Sequence, residues 1–394
     1  MVSFHKTVLF LCVLFLAAIF PYGLLAGSLE PSAAPGPTMK TLDEVEARIP
    51  IPGSATPAAV FSISQSGSYY LTGNRLCGAN GIQVNADNVT IDLMGFMLTG
   101  PGIEASSPSH NGILMQGRQN VEIRNGTIEK FKVAGIHAMY IASDKGHRVI
   151  NVRARNNGAG ILLYGEGHLV KDCTASFNLD NGLYSHAKGT IIGCIAADNG
   201  GTGIVSSSKM TLKDCTSTHN GGGGIISGTA TITCCTVTNN AGHGLYSAKS
   251  SIQGCVISEN ENYGIYAHSD SNVFDNTVED NGWTGIYSSY ACRIYSNNVS
   301  GNNTSGASSA GGIYSSHRCY VSGNNCADNT GHAIYSQNPD NAIVENLLIG
   351  GTYGIYFGSG GNYFEKNRCS GNSTAAFGGS VPAGAGDGGG NVSF

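Results

Sequence analysis

Residues 244–287 read GLYSAKSSIQGCVISENENY (244–263), GIYAHSDSNVFDNTVEDNGWT (264–284) and GIY (285–287). Aligned on the glycine, each unit starts Gly, apolar, Tyr. A Gly followed by an apolar residue, often Gly-Ile-Tyr, recurs at Gly135, Gly160, Gly182, Gly203, Gly224, Gly312 and Gly354, with Ala333 standing in once; Gly81 and Gly112 extend the series. A fixed period near 21 residues means stacked supersecondary units rather than ordinary domains. Each unit carries an apolar residue and then Cys or Asn three later, as in Val170/Cys173, Leu212/Cys215 and Val273/Asn276. Five residues beyond that slot stands an Asn: Asn178, Asn199, Asn220, Asn240, Asn260, Asn281, Asn302, Asn329 and Asn372. The segments between are short and β-branched, with no helical period. A leucine-rich repeat would need several Leu per unit, and a propeller blade about 40 residues. Two or three short strands per 21-residue coil fit an all-β parallel β-helix.

The physics of such a coil explains the pattern. Equivalent residues stack about 4.8 Å apart. Inward Ile, Leu and Val form a continuous core, and a turn Asn bonds its counterparts above and below. Glycine is expected to supply turn conformations that side chains hinder. Composition agrees: 57 of 394 residues are Gly, 41% are hydrophobic and 12% are charged. Low charge with this apolar content argues against disorder. Lys+Arg 21 against Asp+Glu 26 leaves −5, which excludes a basic nucleic-acid binder.

The ends differ from the repeat. Lys6 precedes an apolar run from Val8 to Phe20 that continues to Ala26, ahead of Gly27-Ser28. This reads as a secretory signal peptide over 1–26, leaving no membrane span after cleavage. The expected location is secreted, periplasmic or on the cell surface. Residues 27–60 read as linker and N-terminal segment, with a short helix at 42–47. The coils are expected over 61–374, 12–13 of them by repeat count, followed by a Gly-rich tail at 375–394.

From 61 to 372 the pattern resembles the right-handed parallel β-helix family, whose fold is pectin-lyase-like. Val89-Thr90-Ile91-Asp92-Leu93-Met94-Gly95 looks like that family's first-coil motif, which usually has Asn where Met94 stands. The segments at 41–51 and 67–74 look like the N-terminal cap of secreted bacterial members, many without assigned activity. The resemblance implies a single-stranded right-handed solenoid. It leaves lyase, hydrolase, epimerase and non-catalytic roles open. The catalytic signatures of the epimerase and polygalacturonase groups do not carry over. Gly242-His243 and Gly331-His332 occur without carboxylate partners.

Two functions remain: polysaccharide binding, with lyase or glycosidase processing left open, and a structural or adhesive repeat protein. Several features bear on the choice. Tyr246, Tyr266, Tyr287, Tyr314, Tyr335 and Tyr356 follow the coil Ile or Leu on six consecutive coils, with Tyr184 further up. Strand alternation turns them outward as a strip about 24 Å long. Such a strip either lays sugar rings on tyrosine faces or stabilises the sheet by cross-strand stacking. Residues 118–155 hold eight basic residues and three acids. Among them Arg124, Lys145, Arg148 and Arg153 are candidate ligands for an anionic polysaccharide, and register sets Glu122 near Arg148 and Glu129 near Arg155. A four-residue expansion there carries Asp144, Lys145 and His147, where a lyase base would be sought. Glu259, Glu261, Glu279 and Asp280 form a carboxylate group that suits Ca²⁺, retaining hydrolysis or simply a solvated turn edge. No other cofactor is expected. Cys173, Cys194, Cys215, Cys235 and Cys255 fill one slot on consecutive coils and read as a mostly free interior ladder. Cys326 and Cys369 share a slot but are separated by Leu348, too far to bridge.

Overall fold

The structure, a computed structural model, describes residues 47–394 except 105, 108, 140, 141 and 307–309. The signal peptide read at 1–26 and most of the helix expected at 42–47 lie outside the described residues.

Each repeat makes three strands separated by three corners. One coil contributes Ile265–His268, Asn272–Phe274 and Thr277–Glu279. Each strand pairs in parallel with its counterparts in the coils on both sides. The first strands of the coils form a 15-stranded face. The second and third form one 29-stranded sheet, joined where Val121–Phe131 and Arg148–Arg155 run across both faces. Among the described residues the only helical turn is a 3-10 turn, Gly384–Gly386. Fifteen first-face strands exceed the 12–13 coils expected. Ile49–Ile51 and Ser54–Ala58 already pair with the coil that follows, ahead of residue 61. Ala375–Gly379 and Val392–Ser393 extend the other end beyond 374. The two first-face strands beyond the thirteen openings are Phe61–Ile63 and Ala375–Gly379, which lack the Gly-apolar opening, so a count of openings passes over them.

The core follows from strand alternation. Ile265 and Ala267 are buried, Tyr266 is half-buried and His268 is exposed. Ile265, Ile286, Ile313, Ile334 and Ile355 stack inside, each 0% exposed. Burying each such side chain contributes roughly 1.5–3 kcal/mol.

The corners bear out the expected role of glycine in part: Gly193, Gly254, Gly301 and Gly323 take left-handed corners, but the glycines that open the coils do not. In the coil from Gly264, the left-handed conformation falls on Asp270, Asp275 and Asp280, with φ of 56°, 55° and 52°. Asp and Asn tolerate it because their short polar side chains bond locally. Gly264 itself has no positive φ; a Cβ there would meet Gly285 O at 2.6 Å. The coil glycines are needed for close approach between coils.

In this coil the residue after each left-handed corner points inward and accepts an N–H from the coil before it. Ser271 Oγ accepts from Ser250 N at 3.3 Å, Asn276 Oδ1 from Cys255 N at 2.9 Å, and Asn281 Oδ1 from Asn260 N at 3.1 Å. The cysteine ladder occupies the slot that Asn276 and Asn297 fill further along. Sulfur is the weaker acceptor there, with Cys235 N donating to Cys255 Sγ at 3.5 Å. All eleven described cysteines are free thiols, and only Cys234 is exposed. Burial pushes the Cys369 thiol up to about 12. The register places Leu348 between Cys326 and Cys369, as the repeat spacing requires.

Candidate functional site

The tyrosine strip lies on the first face, with Tyr266↔Tyr287, Tyr287↔Tyr314 and Tyr314↔Tyr335 in register. Its rings stack on one another. Tyr246–Tyr266, Tyr266–Tyr287 and Tyr287–Tyr314 are 5.0, 4.6 and 4.6 Å apart with interplanar angles of 29°, 26° and 14°. Tyr335 and Tyr356 continue it at a tilt. His243, Tyr263 and His332 pack against its side. Burial, with the neighbouring hydroxyls, raises the pKa of Tyr266, Tyr287 and Tyr314. Stacking at the coil spacing occupies ring faces, and leaves ring edges and hydroxyls toward solvent. Tyr314 spends its hydroxyl on Gln337.

The basic coils lie on the second and third faces, away from the strip. Their charges are largely paired. Arg124 meets Asp92 and Glu122, both at 3.0 Å. Arg148 meets Glu122 at 3.2 Å, Arg155 meets Glu129 at 3.0 Å, and Lys145 meets Glu166 at 3.6 Å. Glu122↔Arg148 and Glu129↔Arg155 are register partners, as expected. Burial opposes the charge on Asp92, but bonds from Met94 N, Asn125 and Arg124 outweigh it and lower its pKa. Arg153 donates to Thr127 Oγ1 at 3.1 Å.

Of the expansion's three candidate groups only Lys145 is exposed, and it is held by Glu166. Asp144 and His147 are 0% exposed. Asp144 Oδ1 accepts Arg118 N at 2.7 Å, and His147 Nδ1 accepts Val121 N at 3.3 Å. His168 continues this column, its ring stacked on that of His147 at 5.0 Å, and its Nδ1 accepts His147 N. Burial, and then the adjacent His147, hold His168 down at about 4. The folded state therefore keeps a neutral ring that the unfolded chain protonates near 6.5. Its contribution is complete above that pH and is lost as pH falls toward 4. Urea midpoints should show a loss of about 2–3 kcal/mol over that range. His168→Met should flatten the loss, because Met210 fills the same slot and accepts Gly189 N at 3.1 Å. An unchanged slope in the variant would assign the pH dependence to other groups.

The carboxylates divide. Glu259 and Asp280 take left-handed corners on adjacent coils, with φ of 55° and 52°. Glu259 and Glu261 line a 320 Å³ hollow with His219 and Asn239. Glu279 stands on the third face, 3.4 Å from Asn298 Nδ2 and Ser300 Oγ. Among the described residues no three His, Cys, Asp or Glu side chains are grouped to hold a metal ion.

Sequence reasoning passed over a groove on the second face. A 530 Å³ cavity is lined by Asn272, Arg293, Tyr295, Tyr320 and Ser322. Asn272 also borders a 400 Å³ hollow that runs back past Lys249 to Lys209. Asn272↔Arg293↔Tyr320 and Phe274↔Tyr295↔Ser322 are two outward rows. Phe274 and Tyr295 stack almost parallel, 4.9 Å apart at 5°. Tyr320 is 44% exposed. Arg293 has neither an ion pair nor a side-chain hydrogen bond among the described residues.

The profile of the right-handed β-helix region matches residues 138–272 and 246–387, over half of the chain. The chain belongs to the right-handed β-helix family. The solved structures similar to this β-helix are of low identity. The A-module of the Azotobacter vinelandii mannuronan C-5 epimerase AlgE6 is 15% identical over 84% of this chain and 91% of its own, with a TM-score of 0.49. The receptor-binding domain of the siphovirus 9NA tailspike is 8% identical over 88% and 79%, at 0.48. The catalytic domain of a GH87 α-1,3-glucanase is 13% identical over 92% and 70%, at 0.36. No curated protein sequence matches the chain.

Proposed function

We propose that this β-helix protein binds polysaccharide in the second-face groove, outside the cell as the leader at 1–26 implies. The observation that carries the reading is the exposed Tyr320 ring beside the unpaired Arg293 and the Phe274–Tyr295 pair. Apolar ring surface flanked by a few polar groups suits a sugar, which has a C–H face and a hydroxyl rim. Thr211, Thr231, Ser251 and Asn272 add one hydrogen-bonding side chain per coil along the groove. The tyrosine strip contributes to sheet stability through its stacked pairs, worth about 0.2–1 kcal/mol each.

Titration with a panel of neutral and acidic oligosaccharides tests the reading. Tyr320→Ala should weaken the glycan that binds by at least tenfold, about 1.4 kcal/mol, without moving the urea midpoint. The double variant Tyr287→Ser/Tyr314→Ser should lower the midpoint and leave affinity unchanged. The reverse outcome would move the site to the first face.

A further inference from the structure

The groove's charges alternate along the solenoid axis. The corner residue entering each second-face strand is Lys209, Thr229, Lys249 and Asp270 on four successive coils. The next corner is Ala291, and that coil supplies its cation two residues later, at Arg293. The sequence of charge is positive, neutral, positive, negative, positive. Lys209 and Lys249, like Arg293, have no ion pair among the described residues. Flanking cations do: Lys188 pairs with Glu166, Lys213 with Asp214 at 3.8 Å, and Arg318 with Asp340 at 3.5 Å. The three cations left without a carboxylate in this stretch are the ones that recur at every second coil, roughly 10 Å apart.

We infer that the groove takes a linear glycan presenting one anionic group, carboxylate or sulfate, for every two sugars. The inference rests on the groove being the glycan site. An extended chain laid along the axis advances by about one ring per coil. An alternating acidic and neutral polymer then places its anions at Lys209, Lys249 and Arg293. A chain charged on every ring also sets an anion against Thr229, where nothing neutralises it, and against Asp270, where a carboxylate repels it.

Calorimetric titration of the protein with hyaluronan, polygalacturonate and an uncharged cello-oligosaccharide, matched in length and ionic strength, tests it. Hyaluronan, which alternates uronate and neutral sugar, should bind at least tenfold tighter than polygalacturonate, which is charged on every ring. Lys209→Gln with Lys249→Gln should abolish that preference, and Asp270→Asn should narrow it by strengthening polygalacturonate. Polygalacturonate binding as tightly as hyaluronan to the unmodified protein would overturn the inference. So would equal binding of the uncharged oligosaccharide with no effect of the lysine variants. In either case, loss of binding in Tyr320→Ala would still uphold the groove. If no glycan binds, or binding survives Tyr320→Ala unchanged, the groove reading falls and this inference with it.

Discussion

Gly264→Val is expected to destabilise the protein by more than about 3 kcal/mol, at or beyond the upper end for overpacked sites. A Cβ at Gly264 would lie 2.5 Å from Val278 Cγ1, 2.6 Å from Gly285 O and 2.7 Å from Asn281 Nδ2. Two of these atoms cannot move cheaply. Gly285 O accepts Ile265 N at 2.8 Å, and Asn281 Nδ2 is held by Ile257 O, Glu279 O and Asn302 Oδ1. The added methyls of valine also enter a core that is already filled. Gly254 is the control. Its φ is 63°, and the nearest atom to an added Cβ is Cys234 Sγ at 3.7 Å. Asp275 fills the same corner one coil on, with φ of 55°. Gly254→Asn should therefore change stability by no more than about 0.5 kcal/mol. Urea unfolding of both variants gives the comparison. Equal midpoints would mean that the coil glycines serve backbone conformation rather than close approach.

The difference between these two glycines also shows how far the sequence can be read. Position in the repeat was legible, because a 21-residue period is a one-dimensional pattern that needs no geometry. It predicted the inward Ile column, the Asn ladder, and the pairing of Glu122 with Arg148 and Glu129 with Arg155. What a slot demands of its side chain was less legible. Gly264 reads as a turn residue, yet the left-handed corners belong to Asp270, Asp275 and Asp280. The tyrosine column was predicted correctly as a column. Whether its ring faces meet sugar or each other depends on a spacing of 4.6–5.0 Å between rings, which only coordinates provide. The groove was hidden for the opposite reason. Asn272, Arg293 and Tyr320 occupy equivalent slots but are three different residue types. A search for recurrence passes over them, although a site on a repeat scaffold is made where the repeat changes. The unpaired state of Lys209 and Lys249 is likewise invisible in sequence, where they resemble Lys188 and Lys213.

Asn260→Ala should cost about 3–5 kcal/mol, because it opens the Asn ladder at its middle. Asn260 Oδ1 accepts both Asn240 N at 3.1 Å and Asn240 Nδ2 at 2.9 Å. Its own Nδ2 reaches Val237 O and Ser258 O, both at 3.0 Å, and Asn281 Oδ1 at 2.9 Å. Asn260 is 1% exposed, so the alanine variant leaves the Asn240 N–H without an acceptor in a dry interior and takes a donor from two carbonyls. Each orphaned group costs about 1–3 kcal/mol. Asn260→Asp should be no better: it keeps an acceptor but buries a charge and loses the donors. Cys255→Ala should cost less than either, since the Cys255 sulfur accepts Cys235 N only at 3.5 Å. Cys255→Asn should match or exceed the unmodified protein, because it extends the chain of amides that begins at Asn276. The transition should also broaden in Asn260→Ala. A solenoid coil contacts only its neighbours, so weakening a central interface uncouples the coils before it from those after it. A midpoint and slope for Asn260→Ala equal to those of Cys255→Ala would show that the ladder is a by-product of the register rather than a support for it.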